Sequence, residues 1–195
     1  MRTTRLVGLL LVAAGAGGCA EGGSSPSQPS PGEGVTPSAA GGPAAFQARP
    51  VLAVQGRDLD DSAVEPGLVR RLETLDCLRK PPTTNAPTAE AMLACDARGA
   101  GFLLGPAGVD GGVEQAEVVA VRGGGYAVQV DLDRASADAL GDLVGGLVGS
   151  EGRFAVVVDG IVVDLPSAAD GVGASLQVGG DWTRAEADDV AARLT

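Results

Sequence analysis

The residues able to do chemistry in this chain are carboxylates, three cysteines and one tryptophan. The 195 residues include 25 Asp+Glu against 14 Lys+Arg, no histidine, and a formal charge of -11. Without histidine there is no Ser-His-Asp or Cys-His constellation, and no imidazole to serve as base or metal ligand. The single lysine, Lys80, has Cys77 three residues before it, so the Ser-x-x-Lys arrangement fails. Neither a Gly-x-Ser-x-Gly elbow nor a phosphate-binding Gly-x-x-x-x-Gly-Lys loop occurs. Neutralising nucleic-acid phosphates needs a basic face, which scattered arginines in an acidic chain do not supply. The expectation is a protein without catalytic residues, cofactor, metal, nucleic-acid partner or small-molecule substrate.

Each carboxylate group has a plainer role than chemistry. Asp131 and Asp133 share a strand face and form Asp-x-Asp, but a calcium loop from Asp131 would need Gly at its sixth position and Glu at its twelfth. Those positions hold Ser136 and Asp142. Asp133 instead suits the entry of a helix, where a carboxylate is stabilised by the free N–H groups. Asp58, Asp60 and Asp61 read as a loop or helix entry, Asp159 as a turn residue, and Asp188-Asp189 as a solvated helix face. A carboxylate hydrolase would need two such groups facing across a cleft, and nothing in the spacing supplies them. Gly123-Gly124-Gly125 lacks the following helix of a dinucleotide-type anion site and reads as a turn. Trp182 directly precedes a capping box. It is either a hydrophobic staple for the helix or an exposed aromatic that contacts a partner.

The cysteines and the N-terminus set the compartment. Arg2 and Arg5 precede an apolar run over 6–16, too short to span about 30 Å of hydrocarbon and suited to a signal peptide. Ala16-Gly17-Gly18-Cys19 resembles a bacterial lipobox, with Ala16 where that pattern favours Leu; an ordinary Ala-x-Ala-like cleavage is the alternative. On the lipobox reading 1–18 is a signal peptide and Cys19 carries the lipid. The protein then stands on the extracytoplasmic face of the bacterial cell membrane, held by a lipid anchor. Residues 19–45 are Gly-, Ser- and Pro-rich and read as a disordered linker with a reach of about 25–30 Å. Cys77 and Cys95 remain, an even number in an oxidising compartment, and are expected to form a disulfide; two buried thiols are the alternative.

The elements that must position these residues fall in 46–195, long enough for one domain with a core. Pro50–Gln55 reads as a strand, Leu68–Leu75 as a helix, 89–94 as a short helix leading into Cys95, and Gly101–Leu104 as a strand. Glu117–Val121 and Tyr126–Leu132 flank a glycine turn and read as a hairpin. Ala135–Val148 has the strongest helical stripe; Gly145-Gly146 inside it suggests close backbone packing. Phe154–Val158 reads as a central strand, with Asp159-Gly160 as a hairpin turn into Ile161–Asp164. Ala174–Val178 is a last strand, and Thr183–Glu186 a capping box for a terminal helix. Recurring hairpins beside helices argue for an α+β fold, a largely antiparallel sheet packed with two or three helices.

The runs FAVVVDGIVVDLP (154–166), ASLQVGG (174–180) and WTRAEADDVA (182–191) resemble, in that order, the SecD subunit of the bacterial Sec translocase. FLLGPAGVDG (102–111) is similar to that family's "YLLGPAxIxG", and FQARPVLAV (46–54) to its "FRPVL" strand. The resemblance covers most of 46–195 and is best over 102–195. It departs where the family's "SAP" is Asp164-Leu165-Pro166 and its "FT" is Trp182-Thr183. It implies the fold of the head subdomain of the first extracytoplasmic domain of SecD/SecDF, and contact with exported polypeptides or envelope proteins. It does not carry over proton-driven pulling, which belongs to the family's transmembrane helices. Two functions follow as expectations: a lipid-anchored head that binds polypeptide, accessory to protein export, or a structural surface lipoprotein with the same fold and an unrelated partner.

Overall fold

A strand that begins earlier than its apolar run organises the molecule. The computed structural model describes residues 46–57, 65–82, 85–147, 152–170 and 173–195. The signal peptide, Cys19, the linker and the Asp58, Asp60 and Asp61 cluster lie outside the described residues. Strand β1 runs Phe46–Val54. Its first half pairs antiparallel with β7 (Phe154–Val158), Phe46 opposite Val158 and Pro50 opposite Phe154. Its second half pairs with β3 (Gly101–Leu104). Pro50, which has no N–H to donate, sits where β1 passes from one partner to the other.

Five strands close on themselves through these pairings. β2 (Met92–Asp96) pairs antiparallel with β3 and parallel with β8 (Ile161–Asp164), and β8 returns to β7 through the hairpin. The short β4 (Val109–Asp110) adds to the outside of β1. The ring encloses a core of Met92, Ala94, Phe102, Leu104, Ala155, Val157 and Val162. A second sheet of three strands has β5 (Val113–Ala120), β6 (Tyr126–Leu132) and β9 (Ser175–Trp182) in that order, all antiparallel. Between it and the outer face of β7 and β1 lies the larger core, which includes Phe46, Val128, Val130, Phe154, Val156, Val158 and Val178. Helices α2 (Arg134–Leu147) and α3 (Arg184–Leu194) complete this core with Leu140, Val144, Ala187, Val190 and Leu194. Helix α1 (Pro66–Glu73) packs Leu72 against Leu103 and Ala53 on the other side of the ring.

The α+β class holds, with three α-helices, but the expected single sheet is two, and β2–β8 is a parallel pair. Residues 89–94 are not a helix. Met92 and Ala94 point into the ring while Leu93 packs toward α1. That alternation, with partners on both edges, overrides the helix preference of an Ala-Met-Leu-Ala run. Cys77 and Cys95 are joined by a disulfide, with 5.6 Å between their Cα atoms. Closing a loop of this length stabilises by about 3 kcal/mol in the chain-entropy model.

One buried charge fixes the irregular segment before β2. Arg49 is fully buried on β1. Its Nε donates to Gln47 Oε1 at 2.8 Å, Nη1 to the carbonyls of Glu90 (2.7 Å) and Gly105 (2.8 Å), and Nη2 to those of Ala86 (2.8 Å) and Pro87 (3.1 Å). Five N–H donors meet five acceptors, the full capacity of a guanidinium. Burial pushes its pKa down, and nearby Asp110, itself bonded to Gln47 at 2.9 Å, pushes it back up.

The helix entries are set by side-chain caps. The Asp133 carboxylate accepts from the Ser136 N–H at 2.7 Å, and Gly112 packs so close that a Cβ there would stand 1.8 Å from Ser136 Oγ. Thr183 and Glu186 form the reciprocal box of α3. Asp159 (φ 51°) and Gly160 (φ 80°) make the β7–β8 turn with left-handed backbone at both positions, the geometry of a two-residue hairpin. The expected close packing at Gly145-Gly146 is absent: a Cβ added at either position meets nothing within 4 Å. These glycines weaken α2 without a packing reason.

Three outcomes follow. Gly145→Ala and Gly146→Ala should each stabilise by roughly 0.5–1 kcal/mol, read as a higher urea midpoint. Arg49→Met should destabilise by about 3 kcal/mol or more, because it strands buried carbonyls. The Asp133 and Glu186 carboxyls titrate lower in the folded protein because each accepts hydrogen bonds at a helix start, Asp133 from Ser136 and Glu186 from Thr183. Their stabilisation is present above the unfolded carboxylate range of about 4 and disappears as pH falls through the lower folded values. Thermal melts should show Glu186→Gln less stable than the parent at neutral pH, the gap closing in acid; a gap constant with pH would contradict this.

Candidate functional site

A groove of about 830 Å³ opens where the two sheets meet. Its floor is β8 with the residue after it: Ile161, Val163, Asp164 and Leu165. The ladder between β2 and β8 stops at Asp96 opposite Val162, and β2 then turns away through Ala97 and Arg98. Beyond that point no strand pairs with the outer edge of β8 among the described residues, and Val163, Asp164 and Leu165 line the groove. One wall is the first half of α3, with Ala185, Glu186, Asp189 and Val190; the end of β9, with Gly179, Asp181 and Trp182, forms the other side.

The β9 end is shaped by a bulge. Ala127 pairs with Gly179 and the adjacent Tyr126 pairs with Trp182, so Gly180 and Asp181 loop out between them. Gly179 has φ 82°, and a Cβ there would lie 2.7 Å from the Trp182 indole. The ring is therefore laid against a glycine backbone. Trp182 is half-buried, packs against the core cluster that contains Ala187, and lines the groove. Trp182 thus packs on the core as the staple reading expects, and its remaining surface lines the groove.

Asp164 ties the two sheets together at the groove. Its Oδ2 accepts from the Gly179 N–H on β9 and its Oδ1 from the Leu165 N–H, each at 2.7 Å. Burial raises its pKa, while the hydrogen bonds from Gly179 and Leu165 act the other way. The sign is opposite to that of the helix caps. Its protonated form is favoured by folding, so this contribution is present in acid and is lost as pH rises through its folded value. Two ion pairs bound the groove: Arg98 Nη2 to Asp181 Oδ2 at 2.7 Å, and Arg193 Nη2 to Asp159 Oδ2 at 2.9 Å. Hydrogen bonding to Asp181, with its charge, raises the Arg98 pKa.

Of the other sequence candidates, Asp189 lines the groove and Asp159 pairs with Arg193 at its margin; the rest do not converge here. Asp131 accepts from Ser175 Oγ at 2.7 Å across β6 and β9, Asp133 caps α2, and Asp188 lies beside Arg184 at 3.8 Å. Gly123-Gly124-Gly125 all have positive φ and form the β5–β6 turn. Among the described residues no group of three or more His, Cys, Asp or Glu is placed to hold a metal ion, and no helix is long and apolar enough to cross a membrane. Nothing in the residue pattern announces the roles of Arg49 and Gln47, whose partners are far along the chain. Asp164 carries two signals, a charged residue ending an otherwise apolar strand and a departure from the SecD pattern.

The family model for the SecDF P1 head subdomain matches residues 101–195, from β3 through α3, and takes in nearly all of the groove. No curated protein matches the chain. A crystal structure of SecDF in a super-membrane-facing form aligns at 17% identity and a TM-score of 0.49, over 77% of this chain and 18% of its own. A structure of SecDF, there described as a membrane component that enhances protein export, aligns at 20% identity and a TM-score of 0.48, over 79% of this chain and 63% of its own. The chain thus spans less than two thirds of either SecDF structure. Over just under half of its length, residues 101–195, this chain is thus similar to the SecDF P1 head subdomain.

Proposed function

We propose that this protein is a non-catalytic, lipid-tethered head that holds polypeptide outside the cytoplasmic membrane, in a role accessory to protein export. The observation that carries the reading is the groove within the matched segment. It combines an apolar floor, an open strand edge on β8 and a half-buried tryptophan. An extended chain can use all three: main-chain groups along a strand edge, pockets for alternate side chains, and an aromatic anchor. The match of residues 101–195 to the SecDF P1 head subdomain supports the export setting, and the resemblance of Ala16–Cys19 to a lipobox supports the tether.

The test is site-specific capture in cells. A photoreactive residue replaces Trp182, or as a control Glu114 on β5, in the full chain while a secreted reporter is arrested in transit. The reporter is expected to crosslink from position 182 and not from 114, and Cys19→Ser should release the protein from the membrane fraction and abolish capture. Equal capture from both positions, or none from either, would contradict the groove. Membrane retention of Cys19→Ser would remove the lipid tether.

A further inference from the structure

We infer that the groove selects polypeptide segments in which a lysine or arginine stands beside a bulky apolar residue, the cation meeting Asp164 and the apolar side chain lying against Trp182 and Ile161. This deepens the reading above and rests on it. The charge balance of the lining points this way: five carboxylates face the groove against two guanidinium groups. Both guanidiniums are already engaged, Arg98 by Asp181 and Arg193 by Asp159. Two of the carboxylates are held by their own local structure. Asp96 accepts from the N–H groups of Ala100 (2.7 Å) and Arg98 (3.0 Å), and Glu186 is bound into the α3 capping box.

Asp164 is different in kind. It is partly buried among apolar side chains, and its two hydrogen bonds come from neutral main-chain N–H groups. An ionised carboxylate has about four acceptor positions, so this one, which lines the groove, keeps unused acceptor capacity. Burial already disfavours its charged form, and an incoming ammonium or guanidinium would offset that cost. The indole of Trp182 lines the same cavity, and offers apolar area and a face that attracts cations. An anionic segment would meet a lining with an excess of carboxylates, its two guanidinium groups already paired with Asp181, Asp159 and Asp189.

The chain contains one tryptophan, so its fluorescence reports on this groove alone. The full chain is titrated at about 0.15 M salt with three ten-residue peptides: alternating Leu-Lys, alternating Leu-Glu and alternating Ser-Lys. Leu-Lys is expected to give a saturable emission shift, with the other two at least about tenfold weaker. Asp164→Asn should weaken Leu-Lys about tenfold. Because that substitution also alters the β8–β9 clip, Ala185→Lys provides a second test on the exposed first turn of α3. It should weaken Leu-Lys equally while leaving the circular dichroism and melting of the parent. Equal binding of Leu-Lys and Leu-Glu, or binding unchanged by both substitutions, overturns the cation preference but leaves the groove as a polypeptide site. Ser-Lys binding as tightly as Leu-Lys overturns the apolar half. No binding by any peptide overturns the reading on which the inference rests.

Discussion

β7 is buried along its whole length and on both faces, and the rest of the structure depends on it. Phe154, Val156 and Val158 fill the core shared with the three-stranded sheet and the helices, while Ala155 and Val157 fill the closed ring. Each buried Val or Phe side chain contributes roughly 1.5–3 kcal/mol, and here one strand serves two cores at once. The groove is a consequence. β8 hangs from β7 by a two-residue turn, so its position is fixed on one edge by the most buried strand of the molecule. Its other edge is left open once β2 turns away.

The matched segment does not complete this arrangement by itself. β1 pairs with β7 on one edge and with β3 and β4 on the other, yet it lies before residue 101, where the family match begins. Arg49 on the same strand gathers main-chain carbonyls from 86–90 and from Gly105. The Cys77–Cys95 disulfide ties the segment after α1 to β2, whose end forms the lip of the groove. Residues outside the match therefore support the site within it. Within the match, the clip between the sheets is Asp164, at the place where the sequence departs from the SecD pattern.

Local chemistry was legible in the sequence and long-range pairing was not. Asp159-Gly160 announced its hairpin because only a few residue types accept left-handed backbone at both turn positions. The Thr183–Glu186 box, the glycine turn at 123–125 and the α2 stripe were equally local. The strand character of β2 is set by pairing on both edges: with β3 through a tight turn that no favoured turn dipeptide announces, and with Ile161 far along the chain. Closure of the ring and the parallel pair were hidden for the same reason. Arg49 looked like one arginine among thirteen, since its acceptors are main-chain atoms that no side-chain pattern reveals. Gly145-Gly146 invited a packing explanation that the open space around both removes. Trp182 was found as a candidate, but its groove needed the bulge at Gly180-Asp181, which pairing alone creates.

The proposed function requires that polypeptide meet this protein in the groove between β8 and α3. Backbone amide shifts of the isotopically labelled chain, followed as an unfolded polypeptide is added, test it most directly. The account places the shifted signals at Asp96–Arg98, Ile161–Leu165, Gly179–Trp182 and the first two turns of α3, with β5 and α1 unmoved. Shifts centred on the free edge of β5, or spread evenly over the surface, would contradict it.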